Sequence, residues 1–257
     1  MFAFMNERAD MPHQQPASLN RRHFARLLAA GSGTALLGGL IACSPKTAPS
    51  APAAATPTAS GNNAAAVEPV AGIDYKVLAK PVASDVPKGK AELVEFFGYW
   101  CPHCASLAPT LEAWRKQAPA EIVFNMVPVN FGRAGHEALQ RLFFALRDLN
   151  KLDAMHLKVF DAIHKDKVNL STDETIIEWA KQQPELKDSN FEQAYKSFGM
   201  AATIGHANQL TNDYEVDGVP SFGVAGKYFC SGNMAKSLDR ALLIAANLAM
   251  KEAKGQG

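Results

Sequence analysis

Alternating, unbroken and helically spaced apolar residues succeed one another along the chain, and each change of period predicts a new element. Gly72-Ile73-Asp74-Tyr75-Lys76-Val77-Leu78 alternates in character, which predicts a short strand. Glu92 to Phe97 is apolar on both faces toward its end, the mark of a central strand, and Glu121 to Val129 reads as another. Between these two, Cys101 to Lys116 has helical spacing, and Pro109 inside it is expected to kink the helix by removing a backbone bond. From about Ala134 to Glu215 the period is helical throughout. Leu139, Leu142, Phe143 and Leu146 line His136–Asn150, and Met155, Val159, Phe160 and Ile163 line Leu152–Lys165. Ser171-Thr172-Asp173-Glu174 reads as a capping box opening a further helix, and two more are expected near Asn190–Phe198 and Ala201–Asn212. Strands return at Ser221–Val224 and Lys227–Cys230 around an Ala225-Gly226 turn, and an amphipathic helix from about Met234 to Lys251 closes the chain. This order is α/β, with a block of helices inserted midway.

The first 71 residues have none of these periods. Asn20-Arg21-Arg22-His23-Phe24 precedes a short, glycine-broken apolar stretch from Leu27 to Ala42, which reads as an export signal and is too short to span a bilayer. The paired arginines resemble a twin-arginine signal. Leu40-Ile41-Ala42-Cys43 resembles a bacterial lipobox, which implies lipidation of Cys43 and tethering to a membrane. Residues 44–71 are rich in Ala, Pro, Thr and Ser, cannot bury enough apolar surface to order themselves, and read as a tether. The expected layout is therefore an export signal over 1–43, a tether over 44–71, a domain built from 72–131 and 217–257, and an inserted helical domain over 132–216.

Charge and cysteine content narrow the chemistry. Lys and Arg number 26 against 25 Asp and Glu, so no nucleic-acid partner is expected. Four cysteines, Cys43, Cys101, Cys104 and Cys230, are too few for a disulfide-stapled scaffold. Cys101-Pro102-His103-Cys104 stands at a strand-to-helix junction, which puts the first sulfur at a helix N-terminus. There, unpaired N–H groups and the positive end of the helix dipole stabilise a thiolate, the attacking species in disulfide exchange. Pro102 suits the first turn because it has no N–H to leave unpaired, and His103 lies within reach of the sulfur. The competing reading is half of a zinc site, which needs two further ligands; no metal is expected. Glu95, if buried, should have a raised pKa and is a candidate proton acceptor for Cys104. Of the aromatic residues before the motif, Trp100 is the one expected at a client-binding surface, with Phe97 and Tyr99 in the core. Cys230 has no evident partner and is expected to be a buried, inert thiol.

Phe96-Phe97-Gly98-Tyr99-Trp100-Cys101-Pro102-His103-Cys104, with Gly218-Val219-Pro220 ahead of the last hairpin and Val129-Asn130-Phe131 after the third strand, resembles the DsbA-type thiol:disulfide oxidoreductases, lipoprotein-anchored variety. The likeness begins at Tyr75-Lys76-Val77-Leu78-Ala79-Lys80-Pro81-Val82. It implies a thioredoxin fold with an inserted all-helical domain. It also implies Cys101 as nucleophile, a buried Cys104 as resolving partner, a cis Pro220 facing them, and the backbone of Val219 open to clients. Glu95 matches an acidic residue of that family; Met126 stands where members often carry a lysine, which removes the usual cation from beside Glu95. By the same resemblance the cofactor is none beyond the Cys101–Cys104 disulfide, and the partners are reduced, unfolded exported proteins and a DsbB-type membrane quinone reductase. A periplasmic location and a monomer are expected. The disulfide should be strongly oxidising, about −120 mV in the family's type member against about −270 mV in thioredoxin. A reductase or isomerase, or a metal-handling lipoprotein using the thiols as ligands, are the alternatives.

Overall fold

Strand β2 (Ala91–Phe97) organises the molecule because both of its edges are paired and nearly all its side chains are buried. In the computed structural model, which describes residues 68–255, it lies in a five-stranded mixed sheet of order β1-β5-β4-β2-β3. β3 (Ile122–Pro128) runs parallel to it in a register that pairs Glu95 with Met126. β4 (Ser221–Val224) runs antiparallel on the other side and pairs Phe222 with Glu95. β5 (Tyr228–Ser231) and the two-residue β1 (Lys76–Val77) complete the antiparallel half. The export signal, Cys43 and most of the tether lie outside the described residues.

Because successive residues of a strand face opposite ways, β2 feeds two cores. Leu93, with Phe222 and Val224, packs under α1 (Pro102–Arg115) and α8 (Leu238–Gly255), against Leu107, Leu111, Ile244 and Leu248. Val94 and Phe96 join the other core, with Leu142 of α2 (Ala134–Asp148) and Tyr214. The Tyr214 ring lies against Gly223, where a Cβ would come within 2.3 Å of it, and its hydroxyl accepts a hydrogen bond from Gly226 N–H at 3.0 Å. Glycine at 223 is what leaves room for the Tyr214 ring against β4.

Between β3 and β4 the chain is helical: α2, α3 (Leu152–His164), α4 (Asp173–Lys181), a 3-10 turn at Pro184–Leu186, α5 (Phe191–Tyr195) and α6 (Met200–Asp213). Their apolar stripes meet in one core that includes Phe143, Met155, Ile176, Trp179, Tyr195 and Ile204. The α4 cap differs from expectation: Thr172, not Ser171, is the N-cap, and its box partner is Thr175 rather than Glu174. Ser171 is taken by the preceding turn, where its N–H donates to Asn169 Oδ1. The closing helix is also broken in two, α7 (Gly232–Ala235) and α8, by Lys236 in the left-handed region (φ 70°). The first strand shrinks to the two residues that find a partner in β5. α1 is continuous through Pro109, which lies on its exposed side. No helix among the described residues is long and apolar enough to cross a membrane.

Candidate active site

The chain leaves β2 through a four-residue turn, Gly98-Tyr99-Trp100-Cys101, closed by a hydrogen bond from Cys101 N–H to Gly98 O at 3.0 Å. A Cβ at Gly98 would strike the Trp100 indole at 2.5 Å, so the turn requires glycine there. Cys101 is the N-cap of α1, extended at φ −90° and ψ 120°, and Pro102 opens the helix. This backbone path sets the Cys101 sulfur against the unpaired amides of the first turn.

The two sulfurs, neither in a disulfide, are treated in opposite ways by their surroundings. The Cys101 thiol is lowered to about 6. A hydrogen bond from the Cys104 thiol contributes most, burial works against it, and the N–H groups of Cys104 and His103 and the His103 charge add to the lowering. Cys104, fully enclosed one helical turn on, is pushed far up by burial, with Cys101 and Glu95 reinforcing the shift. Opposite them the Val219–Pro220 peptide bond is cis, and the Cys101 thiol donates to Val219 O at 3.4 Å. That contact exists only for the thiol, so it opposes ionisation. His103 is exposed, and beside it an open groove of about 410 Å³ runs past Val219 and Pro220 to Gly232 and Leu238.

Glu95 lies beneath α1, only 2 % exposed, and its Oε2 has no hydrogen-bond partner. Burial pushes its carboxyl up to about 8; the charge of Arg115 pulls it down and that of Glu112 pushes it up, both less strongly. The register places the Met126 thioether beside it, so no cation stands there. Trp100 is half-buried. Its indole stacks on His136 at 4.3 Å and 7°, and the indole N–H donates to Val129 O at 3.1 Å. One face of the ring is therefore covered by the helical insert. Cys230, buried and far from this centre in sequence, donates to Asp74 O at 3.3 Å, and burial pushes its thiol up to about 12.

A profile of the DSBA-like thioredoxin domain matches residues 92–241. The chain belongs to that family. It is 39 % identical over 161 residues to the thiol:disulfide interchange protein DsbA of Bordetella pertussis, covering 63 % of this chain and 75 % of that one. The DsbA of Pseudomonas syringae pv. tomato is 34 % identical over 193 residues, covering 75 % and 89 %. Among solved structures, Pseudomonas aeruginosa DsbA superposes with a TM-score of 0.65 at 31 % identity, over 72 % of this chain and 95 % of that one. The Neisseria meningitidis oxidoreductase NmDsbA1 does so with a TM-score of 0.63 at 29 % identity, over 73 % and 95 %. The fold is thus thioredoxin-like of the DsbA type, and the protein is a disulfide oxidoreductase.

Within this DsbA-like frame the motif, the Pro220 loop and Glu95 come together as one site, with Trp100 at its flank. Sequence reading missed three histidines of the insert, His136, His156 and His164, which converge on Trp100 and Tyr99. The spacing His156-Phe160-His164, four residues apart each time on one helix face, was the available signal.

The burial of Glu95 has a consequence for stability. Its folded pKa, about 8, lies above the unfolded value, so the unfolded chain releases this proton first as pH rises. Stability present at pH 5 is then lost progressively toward pH 8, on the order of 2–4 kcal/mol from this group. In denaturant unfolding of the oxidised protein, Glu95→Gln should flatten that decline; identical slopes in the two proteins would show that Glu95 is not a buried, protonated acid.

Proposed function

We propose that the protein oxidises thiols of exported proteins by donating its Cys101–Cys104 disulfide. The observation that carries this reading is the opposite treatment of the two sulfurs, one favoured as a thiolate and the other held as a buried thiol. A client thiolate attacks Cys101 Sγ, forming a mixed disulfide and breaking the bond to Cys104. The electron pair passes to the Cys104 sulfur, a poor leaving group unless it is protonated. Glu95, protonated at neutral pH, is the group beneath it that gives up the proton. A second client thiolate then attacks the client sulfur, and Cys101 departs readily because its thiolate is stable. The client loses two electrons and becomes a disulfide, while the protein is left as a dithiol. Pro102 and His103 serve the first turn that stabilises Cys101. Val219 offers its backbone to the client, which lies in the groove past Pro220, and Trp100, next to Cys101 in the chain, adds to the client-binding surface. The only cofactor is the redox-active pair itself.

Clients are reduced, unfolded proteins in the periplasm, and a DsbB-type quinone reductase restores the disulfide. Lipidated Cys43 tethers the monomeric domain to a membrane through residues 44–71, and the inserted helical domain spans 132–216. The relatives named DsbA support the partners and compartment; the lipobox supports the anchor. Among the described residues, no group of three or more His, Cys, Asp or Glu stands together in a way that could hold a metal ion.

Two experiments test this. Cys104→Ser should accumulate clients in mixed disulfides on Cys101, visible as reductant-sensitive adducts, whereas Cys101→Ser should trap none and lose all turnover; adducts on Cys104 in the second variant would contradict the assignment. Mass spectrometry of the mature protein should find a lipidated N-terminal Cys43, and an unmodified Ala or Ser N-terminus would remove the anchor from the account.

A further inference from the structure

Tyr99, two residues before the nucleophile, is gripped at both ends by one helix of the insert. Its hydroxyl shares a 2.9 Å hydrogen bond with Nδ1 of His156, and its backbone carbonyl accepts a 2.8 Å hydrogen bond from Nε2 of His164. Phe160, midway between the two histidines on α3, packs edge-on against the Tyr99 ring at 5.0 Å. Tyr99 and His156 are both nearly sealed from solvent, and His164 is half-buried. A phenylalanine at 99 and a leucine at 156 would fill this place with no buried polar group to satisfy, so packing alone calls for neither the hydroxyl nor the imidazole.

The carbonyl that His164 holds has particular leverage. In the Gly98–Cys101 turn, Tyr99 and Trp100 are the central residues, and the peptide joining them is the one whose rotation separates the common turn types. Trp100 does not have the positive φ that the flipped form demands, and the bond to His164 fixes the carbonyl in its present direction. The same turn delivers Cys101 to its extended N-cap position, so a rotation of this peptide would move the sulfur off the first-turn amides.

We propose that His156 and His164 are positioning residues: by holding Tyr99 at its hydroxyl and its carbonyl, they lock the turn that presents Cys101 to the N-terminus of α1, and the helical insert thereby sets the reactivity of the nucleophile. This rests on Cys101 being the reacting thiol. It gives the insert a role in the chemistry beyond covering the sheet.

The test uses the full chain, reduced, with His164→Leu, His164→Gln and Tyr99→Phe. The thiolate absorbance at 240 nm is followed against pH, with the rate of iodoacetamide alkylation at pH 5 as a second readout. His164→Leu and Tyr99→Phe should raise the titration midpoint of Cys101 and slow alkylation roughly three- to tenfold, the effect of losing one hydrogen bond. His164→Gln, whose amide N–H can reach the same carbonyl, should restore the wild-type midpoint. Unchanged midpoints, with the oxidised and reduced forms melting lower by equal amounts, would overturn the proposal and leave the histidines a purely structural role. Should Tyr99→Phe fail to fold, the half-buried His164 pair decides the matter. The midpoint reads the thiolate whether the protein oxidises or reduces its clients, so failure here is distinct from failure of the oxidase reading.

Discussion

Two sulfurs one helical turn apart lie in opposite environments, and the strands and helices around them are arranged to keep them so. Cys101 sits at the N-terminus of α1 with the Cys104 thiol and first-turn amides directed at it; Cys104 is walled in by the core. A thiol whose folded pKa is depressed from 9.0 to about 6 stabilises the folded dithiol state. That stabilisation is complete above the unfolded pKa and fades as pH falls through the folded one. The disulfide has no thiolate and gains nothing from it. The dithiol is therefore favoured over the disulfide at neutral pH, which is what makes a disulfide a good oxidant.

The fold serves this asymmetry from several directions. β2 is paired on both sides, so the turn that follows it has a fixed origin. The returning chain before β4 brings Val219 and Pro220 against Cys101, and Glu95 reaches up from the middle of β2 toward Cys104. The insert closes the remaining side through the aromatic contacts of Phe97 and Tyr99 with Phe143, Phe160 and His156. Two effects oppose ionisation of Cys101, its own burial and the Val219 carbonyl that accepts from the thiol form. With Met126 in place of a cation, burial of Glu95 is opposed only by Arg115, and the acid keeps its proton at neutral pH.

What the sequence disclosed depended on how local the interaction was. The strand, the motif and the helix start are contiguous, so their periodicity and the Pro102 signal could be read directly. The α/β order with a helical block was legible for the same reason, and resemblance added the thioredoxin topology and the cis bond before Pro220. Boundaries that rest on tertiary competition were not legible. Ser171 and Thr172 offer equivalent hydroxyls, and the turn at Asn169 selects Thr172. The alternation from Gly72 to Leu78 yields two paired residues because the residues before them fold into a turn, in which Gly72 N–H donates to Tyr75 O and Asp74 N–H to Val70 O. The histidine contacts to Tyr99 span 57 and 65 residues of chain, a separation that no local pattern encodes.

The equilibrium of the Cys101–Cys104 pair with glutathione compares the dithiol and the disulfide in the same folded protein, and so reads the difference between the two sulfurs as a single potential. The couple should be strongly oxidising, above about −180 mV, and the reduced protein more stable to denaturant than the oxidised one. A potential near that of thioredoxin, about −270 mV, with the oxidised form the more stable, would contradict it.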